Sequence, residues 1–281
     1  MDASIRSMLE TTIASLRAGT AFAWEQSHSA STSSRVVEVP WAAACLGRWN
    51  PESLFDIGFS LASLDYLGLL LEYARTPGHR FDAIDIIAPE RVRNRYPAEW
   101  WPEIEAANVR IGDVREAALP SGQHQMVTCI SVIEHIGFDK ASQGNPKSAF
   151  ARATTPEGVF LERDAAIDAL ILKRIYAVLK PGGRCLLSVP MGRGGPVLLR
   201  DSLGYYCAQW EYSPKDWLRL ASADGFELEE THFFAVDDAL RWQKVPTPEH
   251  LGELESVPLS HSRGVGMAVL RKAGPKSPAN A

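Results

Sequence analysis

The sequence lacks the features that would place it at a membrane, on nucleic acid or outside the cell. None of its 281 residues belongs to an apolar run of the roughly 18 residues that a membrane-spanning helix needs. The net charge is −5, so the basic excess that neutralises nucleic-acid phosphates is missing. The amphipathic start, Met1–Arg6, does not resemble a secretory signal. We expect a cytoplasmic protein that binds neither membranes nor nucleic acid.

Cysteine is also scarce, and its spacing excludes a familiar metal site. The four cysteines, at positions 45, 129, 185 and 207, do not form metal-binding pairs. Cys129 and Cys185 lie inside apolar runs, where we expect small buried core residues. Unpaired thiols are typical of the reducing cytosol.

The chain does contain short apolar strands that alternate with amphipathic helices. The pattern predicts helices at 2–18, 61–74, 163–179 and 213–224, and strands at 53–57, 81–87, 109–111, 126–132, 184–189, 226–234 and 265–271. This alternation predicts an α/β fold, a seven-stranded and mostly parallel sheet with helices on both faces. Ligands of such sheets bind at the carboxyl ends of the strands.

The chain is expected to divide into three segments. Residues 1–50 are interpreted as an N-terminal helical cap or lid, residues 51–273 as the main domain, and residues 274–281 as a disordered tail. A long insertion at 136–162 is either a lid over the substrate or a surface loop.

The first two predicted strands end in residues suited to an adenosyl ligand. Asp56 and Gly58 close the first strand, and glycine permits a tight turn and a close approach of backbone to ligand. The helix that follows aims free amide groups at an anion. Asp85 ends the second strand, where its carboxylate can accept hydrogen bonds from a ribose diol. An ordinary tight turn and a helix cap are the competing explanations.

The later strand ends continue the pattern. Asp113, after the third strand, can accept a hydrogen bond from an adenine amino group, or it is a solvated turn residue. The fourth strand runs into Ser131-Val132-Ile133-Glu134-His135, and Leu179-Lys180-Pro181-Gly182-Gly183 precedes the fifth.

In this order, the segments resemble class I methyltransferases that use S-adenosylmethionine (SAM), over roughly residues 53–235. The resemblance implies a Rossmann-like methyltransferase fold with an antiparallel last strand, and SAM as cofactor. It also implies the cofactor contacts: Asp56, Gly58 and Ser60 at the amino-acid end, Asp85 and Ile86 at the ribose, Asp113 and Val114 at the adenine, and Ser131 and Val132 beneath the sulfonium. The chain departs from the family at Ser60, Ala62 and Gln125, where two glycines and an aspartate are usual.

Methyl transfer needs alignment and the removal of a proton from the acceptor. His135 is the candidate base because it follows the fourth strand and histidine ordinarily titrates near neutral pH. Glu134 is the second candidate, and a structural bond from His135 to a backbone carbonyl is the alternative. Glu134, His135 and Asp139 do not have a spacing diagnostic of magnesium, and no metal is expected. Aromatic and basic side chains after the fifth strand are candidates for the substrate wall: Tyr205, Tyr206, Trp210 and Arg193.

The function most consistent with these residues is O-methylation of a small hydroxylated molecule, a sugar or a secondary metabolite, because the motifs resemble bacterial enzymes of polysaccharide and metabolite assembly. N- or C-methylation and a non-catalytic interaction module remain alternatives. A nicotinamide-dependent dehydrogenase is disfavoured, since no Gly-x-Gly-x-x-Gly follows the first strand. We expect a small-molecule partner, and a homodimer is left open.

Overall fold

The computed structural model describes residues 33–138, 153–200 and 204–274 of the chain. The helices are α1 (Arg35–Trp49), α2 (Leu64–Arg75), α3 (Trp101–Ala106), α4 (Ile167–Val178) and α5 (Pro214–Ala221). The strands are β1 (Ser53–Ile57), β2 (Arg80–Asp85), β3 (Asn108–Ile111), β4 (His124–Ile130), β5 (Leu179–Met191), β6 (Gly195–Arg200), β7 (Tyr206–Glu211), β8 (Phe226–Val236), β9 (Trp242–Val245) and β10 (Gly264–Lys272).

The main sheet has the order β3-β2-β1-β4-β5-β10-β8-β9. The neighbours from β3 to β5 pair in parallel, whereas β10 is antiparallel to both β5 and β8. Strand order reverses between β1 and β4, so the strand ends diverge there and leave room for a ligand. The predicted α/β class, the mostly parallel sheet and the antiparallel last strand are confirmed. The strand count differs, because β9 adds an eighth strand beside β8.

A two-stranded sheet of β6 and β7 stands apart from the main sheet. The sequence predicts only a loop and an aromatic cluster in this region. The hairpin was not predicted because β6 carries apolar side chains on both faces and the alternation in β7 extends over only six residues.

Helix α1 belongs to the core. Its residues from Val36 to Leu46 are all buried, and they share one apolar cluster with α2 and one face of the sheet. The run Val-Val-Glu-Val-Pro does not have helical apolar spacing, and β-branched residues and proline disfavour helices. The helix was therefore not predicted. It lies inside the segment 1–50 that we interpret as a cap, and the boundary at residue 50 stays a prediction.

The opposite face of the sheet is covered by α4 and α5, which form a second apolar cluster with the buried sides of β4 and β5. All four cysteines are buried and none forms a disulfide. Within the described ranges, no helix has the length and apolarity needed to cross a membrane. The predicted helix at 2–18, most of the insertion at 136–162 and the tail from 275 lie outside the described residues.

Candidate functional site

A cleft of about 470 Å³ opens at the carboxyl ends of β1 to β4. Most of the predicted cofactor contacts line it: Gly58, Asp85, Ile86, Asp113, Val114, Ser131 and Val132, with the candidate base His135. Four separate strand ends thus contribute to one cavity. Further lining residues come from outside these strand ends: Ser33 and Arg35 at the start of α1, Arg95 after β2, Leu199, Arg200 and Cys207 of the hairpin, and Ser260.

The turn after β1 depends on a glycine for two reasons. Gly58 has a φ of +97°, a left-handed conformation that side chains disfavour. A Cβ atom at this position would lie 2.5 Å from Cγ2 of Val132, so the turn after β1 and the end of β4 are in close contact. Gly58 therefore brings its backbone to the cleft wall.

Asp56 and Ser60 do not line the cleft, although they flank Gly58. Both are fully buried. One carboxylate oxygen of Asp56 accepts hydrogen bonds from the Tyr66 hydroxyl (2.8 Å) and the Thr128 hydroxyl (2.6 Å), and the other oxygen has no partner among the described residues. Burial raises the pKa of Asp56 to about 7.

Asp85 is held in place by backbone amides. Its two oxygens accept hydrogen bonds from the amides of Ser60 and Ile87, each at 2.8 Å. Burial raises the pKa of Asp85, and these amides oppose that shift. The amides of Leu61 and Ile86 also lower the pKa of Asp85, and the side chain lines the cleft. The residue is therefore both a candidate ligand contact and a support for the first turn.

Asp113 also lines the cleft, but it already has a cationic partner. Both oxygens of its carboxylate accept hydrogen bonds from the guanidinium of Arg115, and one of them also accepts a hydrogen bond from the Arg115 backbone amide at 2.8 Å. An adenine amino group would have to share this carboxylate with Arg115.

The carboxylate of Glu38, which was not predicted as a site residue, lies beneath the floor of the cleft. Glu38 of α1 is fully buried, and one of its oxygens accepts hydrogen bonds from the hydroxyls of Ser131 and Ser188, each at 2.6 Å. Its other oxygen accepts hydrogen bonds from Ser34 (2.8 Å) and Arg35 (2.9 Å). Ser131 has a φ of +48°, a strained conformation for serine. The only indication of this role in the sequence is that Glu38 stands inside an otherwise apolar stretch.

His135 lies on a short 3₁₀ turn, Ile133–His135, directly after β4. Its Nδ1 is 3.0 Å from the backbone oxygen of Ala208 in the hairpin. Because a carbonyl oxygen can only accept, Nδ1 carries the proton, and Nε2 is the basic nitrogen of the neutral ring. This is the backbone-carbonyl bond of the structural alternative for His135, and it leaves the base role a prediction.

Glu134 is buried and does not line the cleft. Its Oε1 lies 3.9 Å from Nε2 of His135, and its Oε2 has no partner among the described residues. Burial, followed by the charge of Glu38, raises the pKa of Glu134 to about 8, so the group is neutral at pH 7. A neutral carboxyl group cannot accept a further proton as a base.

The turn that carries Glu134 and His135 is fastened by one arginine. The Arg163 guanidinium donates to the backbone oxygens of Ile133 and Ile136, both at 2.8 Å. It also donates to Asp168 (2.7 Å) and to the Tyr212 hydroxyl (3.1 Å). These bonds hold the turn at both ends.

The four predicted substrate residues do not line the cleft. Tyr206 and Trp210 pack against a small apolar cluster around Phe138, and Arg193 pairs with Glu255. Tyr205 precedes β7 and is 40% exposed. Side chains alternate along a strand, so Cys207 faces the cleft where Tyr206 faces the apolar cluster. The sequence predicted an aromatic cluster near the site, but it could not show which of these side chains would face the cleft.

The described residues contain no group of three or more potential metal ligands close together. Asp139, the third member of the magnesium hypothesis, lies outside them.

No protein-family model and no curated protein matches the sequence. Similar solved structures include a SAM-dependent methyltransferase from Methanosarcina mazei, with 12% identity over 79% of this chain and 93% of that chain and a TM-score of 0.46. The 1,6-didemethyltoxoflavin-N1-methyltransferase of Burkholderia thailandensis, crystallised with S-adenosylhomocysteine, has 18% identity over 97% and 92%, with a TM-score of 0.48. The [4+2]-cyclase SpnF has 12% identity over 97% and 95%, with a TM-score of 0.49. Such values do not reveal what this chain binds.

The contact between Gly58 and Val132 generates a prediction with an internal control. Gly58→Ala should lower the free energy of unfolding by more than Gly78→Ala, because both glycines have a positive φ but a Cβ at Gly78 meets no atom within 4 Å. Adding Val132→Ala should restore part of the loss, since it removes the atoms that clash. Urea denaturation of the single and double variants measures this, and equal losses at the two glycines would contradict it.

Burial of Glu134 predicts a pH-dependent stability. The unfolded chain loses this proton near pH 4.5, whereas the folded chain keeps it to about pH 8, so rising pH destabilises the folded state across that interval. Glu134→Gln cannot ionise, so its melting temperature should rise relative to wild type between pH 5 and pH 9. The exposed Glu99→Gln is the control. A difference that stays constant with pH would show that Glu134 ionises normally.

Proposed function

We propose that the chain is a SAM-dependent methyltransferase that methylates a hydroxyl group of a small molecule, a sugar or a secondary metabolite. The observation that carries the proposal is the common cleft. Residues chosen from four separate strand ends, for their suitability to ribose, adenine and sulfonium, line one cavity of about 470 Å³. A cavity of that size is in the range of small-ligand sites.

The chemistry of the donor set fits the cofactor. Gly58 brings its backbone to the cleft wall, the Asp85 carboxylate lines the cleft as an acceptor for a ribose diol, and Val114 is an apolar neighbour for a purine. The unpartnered oxygen of Asp56 is a buried acceptor behind the first turn. When bound, SAM would supply an activated methyl group, and the protein's task is then to position the acceptor and to take its proton.

His135 is the residue proposed to take that proton. The bond from its Nδ1 to Ala208 leaves Nε2 as the basic nitrogen, and the ring lines the cleft. Arg163 fixes the backbone on both sides of the turn. Glu134 is not assigned the role of base, because it is protonated at neutral pH and buried away from the cleft.

The acceptor is proposed to bind between His135 and the hairpin. Leu199, Cys207 and Ser260 line this part of the cleft, together with the cation of Arg200. A mixed apolar and hydroxyl-bearing wall suits a small hydroxylated molecule. Methylation of nitrogen or carbon would make the same use of the cofactor, and product analysis distinguishes the three.

Calorimetric titration with S-adenosylhomocysteine tests the cofactor assignment. The wild type should bind it, and Asp85→Asn should weaken binding at least tenfold, because a lost charge-assisted hydrogen bond costs about 1.5–3 kcal/mol. Asp82→Asn is the matched control, since Asp82 is also a buried carboxylate of β2 but bonds His124 away from the cleft. Absence of binding by the wild type, or equal weakening in both variants, would contradict the assignment.

Turnover tests the role of His135. With radiolabelled SAM and a panel of hydroxylated sugars and phenols, His135→Ala should lower kcat about 10²–10⁴-fold, the usual contribution of a positioned base. Affinity for S-adenosylhomocysteine should not change. The exposed His250→Ala serves as the control. If His135→Ala keeps more than about a third of wild-type kcat, well short of that contribution, the imidazole is structural.

A further inference from the structure

Helix α1 brings to the cleft a cation that the sequence did not predict. We propose that Arg35, positioned by Glu38, is the carboxylate-binding residue of the cleft and selects ligands that carry an anionic amino-acid end. The inference rests on the proposed function and deepens it, because it assigns the part of the cofactor site that the first turn was expected to form.

The first turn offers little to an anionic group. Of the three residues expected at the amino-acid end, Asp56 and Ser60 are fully buried and only Gly58 lines the cleft. Asp56 is moreover a carboxyl group, which would repel an anion when ionised. A carboxylate bound near Gly58 therefore needs a positive charge from another element.

Arg35 supplies this charge at the right place. Its Nη1 donates to the backbone oxygen of Ile130 at 3.2 Å, and Ile130 is the last residue of β4, the strand that pairs with β1. Arg35 and Gly58 both line the cleft. The guanidinium thus lies over the strand ends where the amino-acid end of the cofactor is expected.

The guanidinium is held by one nitrogen and leaves the others available. Nη1 has two N–H groups. One donates to the backbone oxygen of Ile130, and the other donates to Oε2 of Glu38 at 2.9 Å. The three N–H groups of Nε and Nη2 make no hydrogen bond to any of the described residues. An arginine presents such groups in a planar fork that matches both oxygens of a carboxylate.

Glu38 is a positioning residue for this cation. Its buried carboxylate is fixed by Ser131 and Ser188 at 2.6 Å, so it has one orientation in which to hold Arg35. The side chain of Arg35 is only 22% exposed, and little rotamer freedom is left to lose when a ligand binds. Arg95 also lines the cleft, and it is the competing candidate for the same role.

The test compares two ligands that differ only at the amino-acid end. S-adenosylhomocysteine carries the carboxylate, whereas 5′-methylthioadenosine keeps the adenosine and the thioether but lacks the amino-acid end. By calorimetry, Arg35→Met should lower the affinity for S-adenosylhomocysteine at least about tenfold, because a charge-assisted hydrogen bond is lost. The affinity for 5′-methylthioadenosine, which makes no such bond, should stay within about twofold. Glu38→Gln should likewise weaken the binding of S-adenosylhomocysteine relative to that of 5′-methylthioadenosine.

Arg48→Met is the matched control, because Arg48 lies on the same helix, pairs with Glu230 and does not line the cleft. It should leave both affinities unchanged. If Glu38→Gln does not fold, Arg35→Met and Arg35→Lys decide, and lysine should recover only part of the loss because it lacks the fork. The proposal would be overturned if Arg35→Met weakened the binding of both ligands equally. It would also be overturned if Arg95→Met, and not Arg35→Met, weakened S-adenosylhomocysteine relative to 5′-methylthioadenosine. A wild type that binds neither ligand would refute the proposed function itself.

Discussion

The buried carboxylate of Glu38 joins three elements at the edge of the sheet where the cleft opens. Its oxygens accept hydrogen bonds from Ser34 and Arg35 at the start of α1, from Ser131 directly after β4 and from Ser188 of β5. A buried charge is costly unless it is paired and fully hydrogen-bonded, and here one arginine and three hydroxyls meet that requirement. The same bonds hold Ser131 at a positive φ on the cleft floor. Loss of this carboxylate would therefore affect the packing of α1, the floor and the position of Arg35 together.

Two other buried acids near the cleft, Asp56 and Glu134, have fewer donors than Glu38. Burial raises the pKa of Asp56 to about 7 and that of Glu134 to about 8, and each has one oxygen without a partner among the described residues. Glu38, by contrast, accepts hydrogen bonds from four donors and has a partner at both oxygens. The number of donors, rather than the degree of burial, therefore distinguishes Glu38 from Asp56 and Glu134.

The sequence predicts the scaffold well because the scaffold depends on apolar periodicity. Strand ends such as Asp85 and Asp113 could be located, and the parallel sheet brings them to one edge. Helix α1 could not be predicted, because its Val-Val-Glu-Val-Pro run has no helical spacing and its stability comes from tertiary burial. The hairpin illustrates a different limit. Alternation shows that Tyr206 and Cys207 face opposite ways, but only the fold decides which of them meets the cleft.

The central claim is that this cleft binds an adenosyl cofactor, and amide hydrogen exchange with and without S-adenosylhomocysteine tests it most directly. Exchange should slow at residues 58–62, 85–87, 112–114 and 131–135, which belong to different strand ends and have in common that they surround the cleft. Residues 180–184, which line a second cavity near the beginning of β5, should not change. Slowed exchange at 180–184 alone, or no change anywhere at saturating ligand, would contradict the account.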